Sequence, residues 1–335
     1  MTAAIGNPVY TVIIKADGTE YNVSAALESL SFADQQKQFA QCVTMQIVNQ
    51  KINDSWLSAL LKVGSRVYIY ADDGTTKAEV FRGLVWTRSY GSANDGKVLK
   101  LKCYDNLIYM QESEDYRFFA SGRSTEDAIK ALCGDWGVTV EYSYDSITNT
   151  KLVLRGNLSD IFTADLLDLV KDRTGKKYVI RSEKDVMKIM HVGKNATIYN
   201  LKRQENVINT SSEHTMDGMI TKVIILGKED KNDRAPVEAT EKGNVARYGT
   251  LQKVINKSEN ESLADARKEA QSLIAKNGEP KWTYEVEAVD IPWIRKGDKV
   301  FVNAGDMVNK NYIVLSVNRS ISGSRKTMTL TVENE

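Results

Sequence analysis

"KVGSRVYIYA" (62–71) is written a second time, with conservative changes, as "RKGDKVFVNA" (295–304). At an offset of 233, Gly64 meets Gly297, Val67 meets Val300 and Ala71 meets Ala304. A glycine ahead of an alternating apolar run is a turn-then-strand signal. The match continues outward. "LVWTRSYGS" (84–92) lies over "LSVNRSISG" (315–323) at 231, and "LKLKC" (99–103) over "MTLTV" (328–332) at 229. The offset drifts between segments and holds within each. A duplicated β unit diverges this way, because loops accept insertions while a one-residue slip would turn every strand side chain to the wrong face. Two unrelated hairpins of similar β-propensity are the competing reading.

Around the first copy, "VYTVIIK" and the "ADGT" turn predict a hairpin over 8–23, and "CVTMQIV" a strand over 42–48. Asp54 is placed to cap a short helix through Leu57, Leu60 and Leu61. Strands are expected at 66–71, 79–90 and 97–104, with a polar loop at 91–96. Residues 1–115 thus read as a first tube-like β-barrel or sandwich. From 116 to 196 the pattern becomes α+β. Ser124 heads a helix carrying Ala128, Ile129 and Leu132, Thr163 is expected to cap another closed by Gly175, and a hairpin turns at "SEKD". Residues 197–335 read as a second tube-like β-barrel. It includes a helix capped by Ser262 and an apparent interruption, the charged stretch 228–249, which lacks an apolar period and is expected to be a long polar loop. The fold class is therefore mainly β, two tandem β-barrels or sandwiches flanking an α+β domain.

The 335 residues are 42% apolar and 27% charged, with a net charge of +1. That is an ordinary globular composition, long enough for two or three domains, with no global field for nucleic acid or a membrane surface. Cys42, Cys103 and Cys133 form no C-x-x-C, and Cys103 and Cys133 sit in apolar patterns as expected buried thiols. No basic stretch followed by a long apolar run opens the chain, which points to synthesis and retention in a cytoplasm.

Reaction chemistry is poorly represented. The two histidines, His191 and His214, belong to no H-E-x-x-H motif, and no G-x-S-x-G elbow, Walker loop or G-x-G-x-x-G fingerprint occurs. The acidic run "QESEDY" (111–116) suits a solvated linker better than a glycosidase carboxylate pair. No catalytic, cofactor-binding or metal-ligating residue is assigned. Trp56, Trp86 and Trp136 read as core residues. Trp293, in "DIPWIRKGD", follows a proline at a strand entrance and is a candidate interface residue. The matched residues Arg88, Ser89, Arg319 and Ser320 are candidates for protein contacts made twice over; the alternative is hairpin residues facing solvent. Gly64 and Gly297 read as turn glycines with positive φ.

The order "VGSRVYIY…VFRGLV…LKLKCYDNLIYMQES", "STEDAIKALCGDWGV", "FTADLLDLVKDRTGKKYVIRSEKDVMKIM" and "RKGDKVFVNAG…NYIVLSVNRSISGSRKTMTLTVE" resembles the baseplate hub proteins of contractile phage tails and phage-tail-like bacteriocins. More distantly it resembles the T-even hub and the hub part of type VI secretion spikes. The resemblance spans most of the chain and rests on strand and turn patterns. It implies a structural, non-enzymatic homotrimer whose six β-barrels adapt a hexameric tail tube to a trimeric central spike. It implies as partners the chain itself, the tube ring, the spike, and the tape-measure and wedge proteins. No membrane and no sequence-specific nucleic acid are implied. Assembly would take place in the host cytoplasm, and the product would sit at the tail baseplate. The chain reaches "TVENE" soon after the second barrel, so a needle is expected to be a separate protein. A tail-associated cell-wall hydrolase and a carbohydrate- or receptor-binding tail module are the alternatives.

Overall fold

The computed structural model describes residues 7–36, 38–52, 54–91, 98–143, 146–149, 151–228, 234–257 and 262–335. The expected loop at 91–96 lies outside them beyond Gly91. The chain is mainly β, 52% strand and 19% helix.

β1 (Val9–Ala16) and β2 (Thr19–Asn22) turn on Asp17 and Gly18, both at positive φ. Next come β3 (Leu27–Asp34), β4 (Cys42–Val48), and the small hairpin β5 (Lys51–Ile52) and β6 (Ser55–Trp56). The turn α1 (Leu57–Leu60) leads to β7 (Arg66–Asp72), β8 (Lys77–Gly91) and β9 (Val98–Tyr104). Their order in the sheet is β3-β4-β9-β8-β7-β1-β2. Alternation puts Val12, Ile14, Leu30, Met45, Ile69 and Leu101 into one core. Asp54 is no cap. It sits at φ 65 between β5 and β6, and α1 starts after Trp56 without a side-chain cap.

The middle region carries α2 (Ile108–Gln111), β10 (Glu114–Phe119), α3 (Thr125–Asp135), β11 (Thr139–Ser143) and β12 (Leu152–Asn157). Ser124 and Asp127 close a reciprocal capping box on α3. α4 (Leu158–Asp160), a π-turn segment Ile161–Leu167 and α5 (Asp168–Thr174) follow one another directly. Asn157, not Thr163, caps this helical run. Its side chain accepts from the Ser159 N–H, because the buried stripe already begins at Leu158, Ile161 and Phe162. Gly175 closes it at φ 73, and β13 (Tyr178–Glu183) and β14 (Val186–His191) form the hairpin. Ile129, Leu132, Phe162, Met187 and Ile189 make a second core.

β15 (Tyr199–Lys202) and β16 (Val207–Thr215) resume the β pattern. The stretch expected to be a long loop then departs from that reading. Residues 212–283 form a compact unit of their own. It holds β17 (Lys222–Leu226), β18 (Val237–Lys242), α6 (Val245–Tyr248), β19 (Gln252–Asn256) and α7 (Leu263–Asn277), around Val223, Ile225, Ala266 and Ala270. β18 was invisible as a strand because only Ala239 in it is buried. β20 (Lys281–Val289), β21 (Lys299–Ala304), β22 (Met307–Ser322) and β23 (Arg325–Asn334) follow, and from Tyr284 onward they complete the first unit.

The strand order β16-β20-β23-β22-β21-β15 repeats β3-β4-β9-β8-β7-β1. The outermost pairing differs: β1 runs antiparallel to β7, whereas β15 runs parallel to β21. Even the irregularities recur. The Gly64 N–H donates to the Val85 carbonyl (2.8 Å) and the Gly297 N–H to that of Val314 (2.6 Å). A bulge follows at once in each copy, between Val85 and Thr87 and between Val314 and Ser316. β8 therefore lies over β22 at 229, not at the 231 that the letters suggest. Ile69 pairs Phe81 while Val302 pairs Lys310, so the second hairpin is four residues shorter. Arg88 consequently overlies Val317, and Arg319 overlies Tyr90.

The two copies are also joined. Past its bulge β22 leaves β21 and pairs with β3, Val317–Ser322 against Ser29–Asp34, so that 13 strands form one sheet.

Candidate functional site

The β22–β3 junction is where the two copies meet, and buried charge collects around it. Leu30, Phe32 and Asp34 alternate onto the same face, which carries Asp34 inward with the apolar pair. Asp34 is fully buried. It accepts from Arg295 Nε at 2.6 Å and lies 3.4 Å from Lys296 Nζ. Burial alone would raise its pKa, but the charges of Arg295 and Lys296 prevail and hold the carboxyl well below the usual range. Lys296, pulled down by its own burial against Asp34, also donates to the Gln38 carbonyl at 2.7 Å. Asp105 takes the Gln41 and Leu107 N–H groups at 2.9 and 3.0 Å, yet burial outweighs these bonds and pushes it up to about 7. A parallel tie brings in the middle region: Arg181 donates to Asp298 Oδ1 at 2.6 Å and to the Lys296 carbonyl at 2.7 Å.

A second group lies on the same face of the junction, where Arg319 stands opposite Phe32. Tyr10 Oη donates to Asp290 Oδ2 at 2.5 Å, and Arg319 Nε donates to Asp290 Oδ1 at 3.0 Å. Arg319 Nη2 also reaches the carbonyls of Ile291 (3.2 Å) and Ile294. Burial raises the Asp290 carboxyl and Arg319 opposes it. Such pairs add little net stability over apolar packing, but removing one partner strands a buried charge. They tie the two strand repeats to each other within the one sheet.

The expected contact residues divide on this frame. Arg88, Ser89, Arg319 and Ser320 all lie within strands, β8 and β22, and not in loops. Arg319 is 4% exposed and its guanidinium is engaged internally, so it presents no contact surface. Arg88 does similar internal work. It donates to the Ser58 carbonyl, and Ser58 overlies Ile291 at the same 233 offset that relates β7 to β21. Ser89 and Ser320 are exposed, and Ser320 stands opposite Ser31 in the junction. Trp293 is half-buried against the first core and donates to Asp73 Oδ2 at 2.7 Å. Gly64 and Gly297 take φ 84 and 83. Trp56, Trp86 and Trp136, expected in cores, are 40%, 37% and 36% exposed. Asp34, Asp105, Asp290 and Asp298 were missed, since nothing local in the sequence separates a buried aspartate from a solvated one.

Burial pushes the Cys133 thiol up to about 12, and burial followed by nearby Cys42 raises Cys103 further. His191 packs on Tyr178 and His214 stacks on Trp282 at 4.1 Å. Among the described residues no group of three or more His, Cys, Asp or Glu is set to hold a metal, and no helix is long and apolar enough to cross a membrane. A groove of about 550 Å³ is lined in part by Asp160, Asp168, Lys171, Tyr178 and Glu333.

The fold is shared with solved phage-tail proteins and with a type VI secretion component. It matches the 43 kDa tail protein of prophage MuSo2 from Shewanella oneidensis with a TM-score of 0.70, at 15% identity over 97% of this chain and 98% of that one. The tail protein of Neisseria meningitidis MC58 gives 0.67, at 14% identity over 97% of each chain. The E. coli c3393 protein, a type VI secretion component described as similar to the T4 tail proteins gp27 and gp5, gives 0.57, at 11% identity over 96% of this chain and 76% of that one. Within this architecture the chain belongs to the YqbQ-like family, whose pattern it matches over residues 30–333. It is 24% identical to YqbQ of Bacillus subtilis (strain 168) over 322 residues, 91% of each protein.

Proposed function

We propose that this protein is a structural hub of a contractile-tail baseplate, a homotrimer of pseudo-sixfold symmetry that joins a hexameric tail tube to a trimeric spike. The observation that carries this reading is the repeated strand order within one chain, with copies fused edge to edge through β3 and β22. A three-membered ring of ordinary subunits shows three copies of any surface. With two like β systems per chain, three chains show six. Residues 1–115 and 197–335 supply these systems, residues 116–196 brace them, and the 212–283 unit is an addition to the second.

The partners are further copies of the chain, the tube ring above and the spike below, with tape-measure and wedge proteins as further neighbours. Assembly belongs to the host cytoplasm and the finished protein to the tail tip. No bond is made or broken. A reconstruction of the intact tail end tests the reading. Three copies between a sixfold tube and a threefold spike are expected, and any other number removes it. Incubation with peptidoglycan is expected to release no fragments. Release that stops on replacing Asp160 or Asp168 would establish the hydrolase instead.

A further inference from the structure

Each chain makes one edge-to-edge junction and leaves both halves of a second one open. β22 is flanked by β21 up to Val314 and by β3 from Val317 to Ser322. β8 is built alike. It is flanked by β7 up to Leu84, bulges at the equivalent place, then continues through Gly91 paired only with β9. Among the described residues no strand lies on its other edge. The mirror deficit is at β16. Its counterpart β3 sits between β4 and β22, whereas among the described residues β16 ends the sheet with β20 as its one neighbour.

The side chains agree. Tyr90, 44% exposed on the open edge of β8, overlies Arg319, which the internal junction buries to 4%. On the same strand Trp86 (37%) stands edge to face with Tyr109 (50%), and Ile208 on β16 is 45% exposed. Neither edge, "TRSYG" (87–91) or "VINTSSEHT" (207–215), carries proline or lysine; of the charged residues they do hold, Arg88 is turned inward to the Ser58 carbonyl and Glu213 lies near the far end of β16.

We infer that β16 of one copy pairs antiparallel with residues 87–91 of β8 in the next, repeating between chains the β3–β22 junction made within each. This rests on the hub reading and names its self-contact. The contact is head to tail, so each copy uses one β8 edge and one β16 edge, and rotation closes the set into a ring. In a trimer three internal and three external junctions alternate.

Disulfide trapping tests it, because the internal junction supplies a matched standard. Ser31→Cys with Ser320→Cys joins direct strand partners and should close within a single chain. Gly91 overlies Ser320, has open space at its Cβ position and no positive φ, so it accepts a cysteine. Gly91→Cys is combined in turn with Thr210→Cys and Ser211→Cys, one for each face of β16. Mild oxidation is applied to the purified chain and to tails from producing cells, and products are read on non-reducing gels. One combination should yield a covalent ladder ending at three chains, absent from single variants and collapsed by reductant. If the Ser31/Ser320 standard closes but neither combination links chains in either preparation, the pairing is overturned. Should tails then still hold three copies, the hub reading survives without it. A ladder continuing past three keeps the strand pairing and removes the trimeric hub.

Discussion

Gly64 and Gly297 occupy matching turns at nearly the same φ, but their surroundings differ. A Cβ on Gly64 would meet nothing within 4 Å, whereas one on Gly297 would lie 2.6 Å from Val179 Cγ1. Gly64→Ala should therefore cost only the left-handed strain, about 1–2 kcal/mol. Gly297→Ala should cost clearly more, because Val179 must also move. Urea unfolding of both variants checks the order. The buried carboxylates give a prediction with opposite signs. Asp105 titrates near 7 in the folded chain against an ordinary 3.8, so its contribution to stability is full below pH 4 and lost as pH rises through 7. Asp34 is depressed, so its contribution is present above the ordinary value and lost only in strong acid. Asp105→Asn keeps one acceptor and turns an N–H donor against a backbone N–H, a loss of about 1–3 kcal/mol. In thermal melts the gap between wild type and this variant should be widest at about pH 4 and below, and narrow steadily as pH rises to 8. Asp34→Asn leaves Arg295 and Lys296 without their carboxylate, and should cost about 3–5 kcal/mol at neutral pH.

At the scale of elements, the sequence showed most of what alternation and capping can show. β1, β4, β7 and β9 stand where period-2 patterns put them, and Ser124 and Ser262 cap their helices as read. The repeat was legible through its glycines, but its register over β22 was not. Arg88 and Arg319 attract an alignment at 231 because they do comparable work, yet the shorter second hairpin sets the backbone at 229. Side-chain role and backbone equivalence had parted by two residues, which keeps both arginines on the same face. The 212–283 unit escaped because a strand with a single buried residue looks like a loop. Its own core predicts autonomy. Joining Ser211 to Tyr284 through a short glycine-rich turn would convert β16 and β20, neighbours in the sheet, into a plain hairpin like that of β3 and β4. The shortened chain should still unfold in one cooperative transition, followed by circular dichroism. A molten, dye-binding product would show that the unit is part of the fold it interrupts.

For the whole molecule, the decisive quantity is the balance of forces available to hold copies together. The net charge of +1 provides no long-range attraction or repulsion. The strong internal charge pairs, Asp34 with Arg295 and Asp290 with Arg319, are buried and already matched. What remains for assembly is open strand edge and apolar surface such as Trp86, Tyr90 and Ile208. Backbone pairing and apolar burial respond weakly to simple electrolyte, and excluded salts strengthen burial. Exposed ion pairs, by contrast, are largely screened at 1 M, where the Debye length is about 3 Å. Self-association should therefore be unchanged or tighter on raising sodium chloride from about 0.1 to 1 M, and tighter still in sulfate. Sedimentation velocity across that range is the check. Dissociation by salt would mean that the proposed ring is held by charges on faces other than the open edges, and the repeated β system would then need a different explanation.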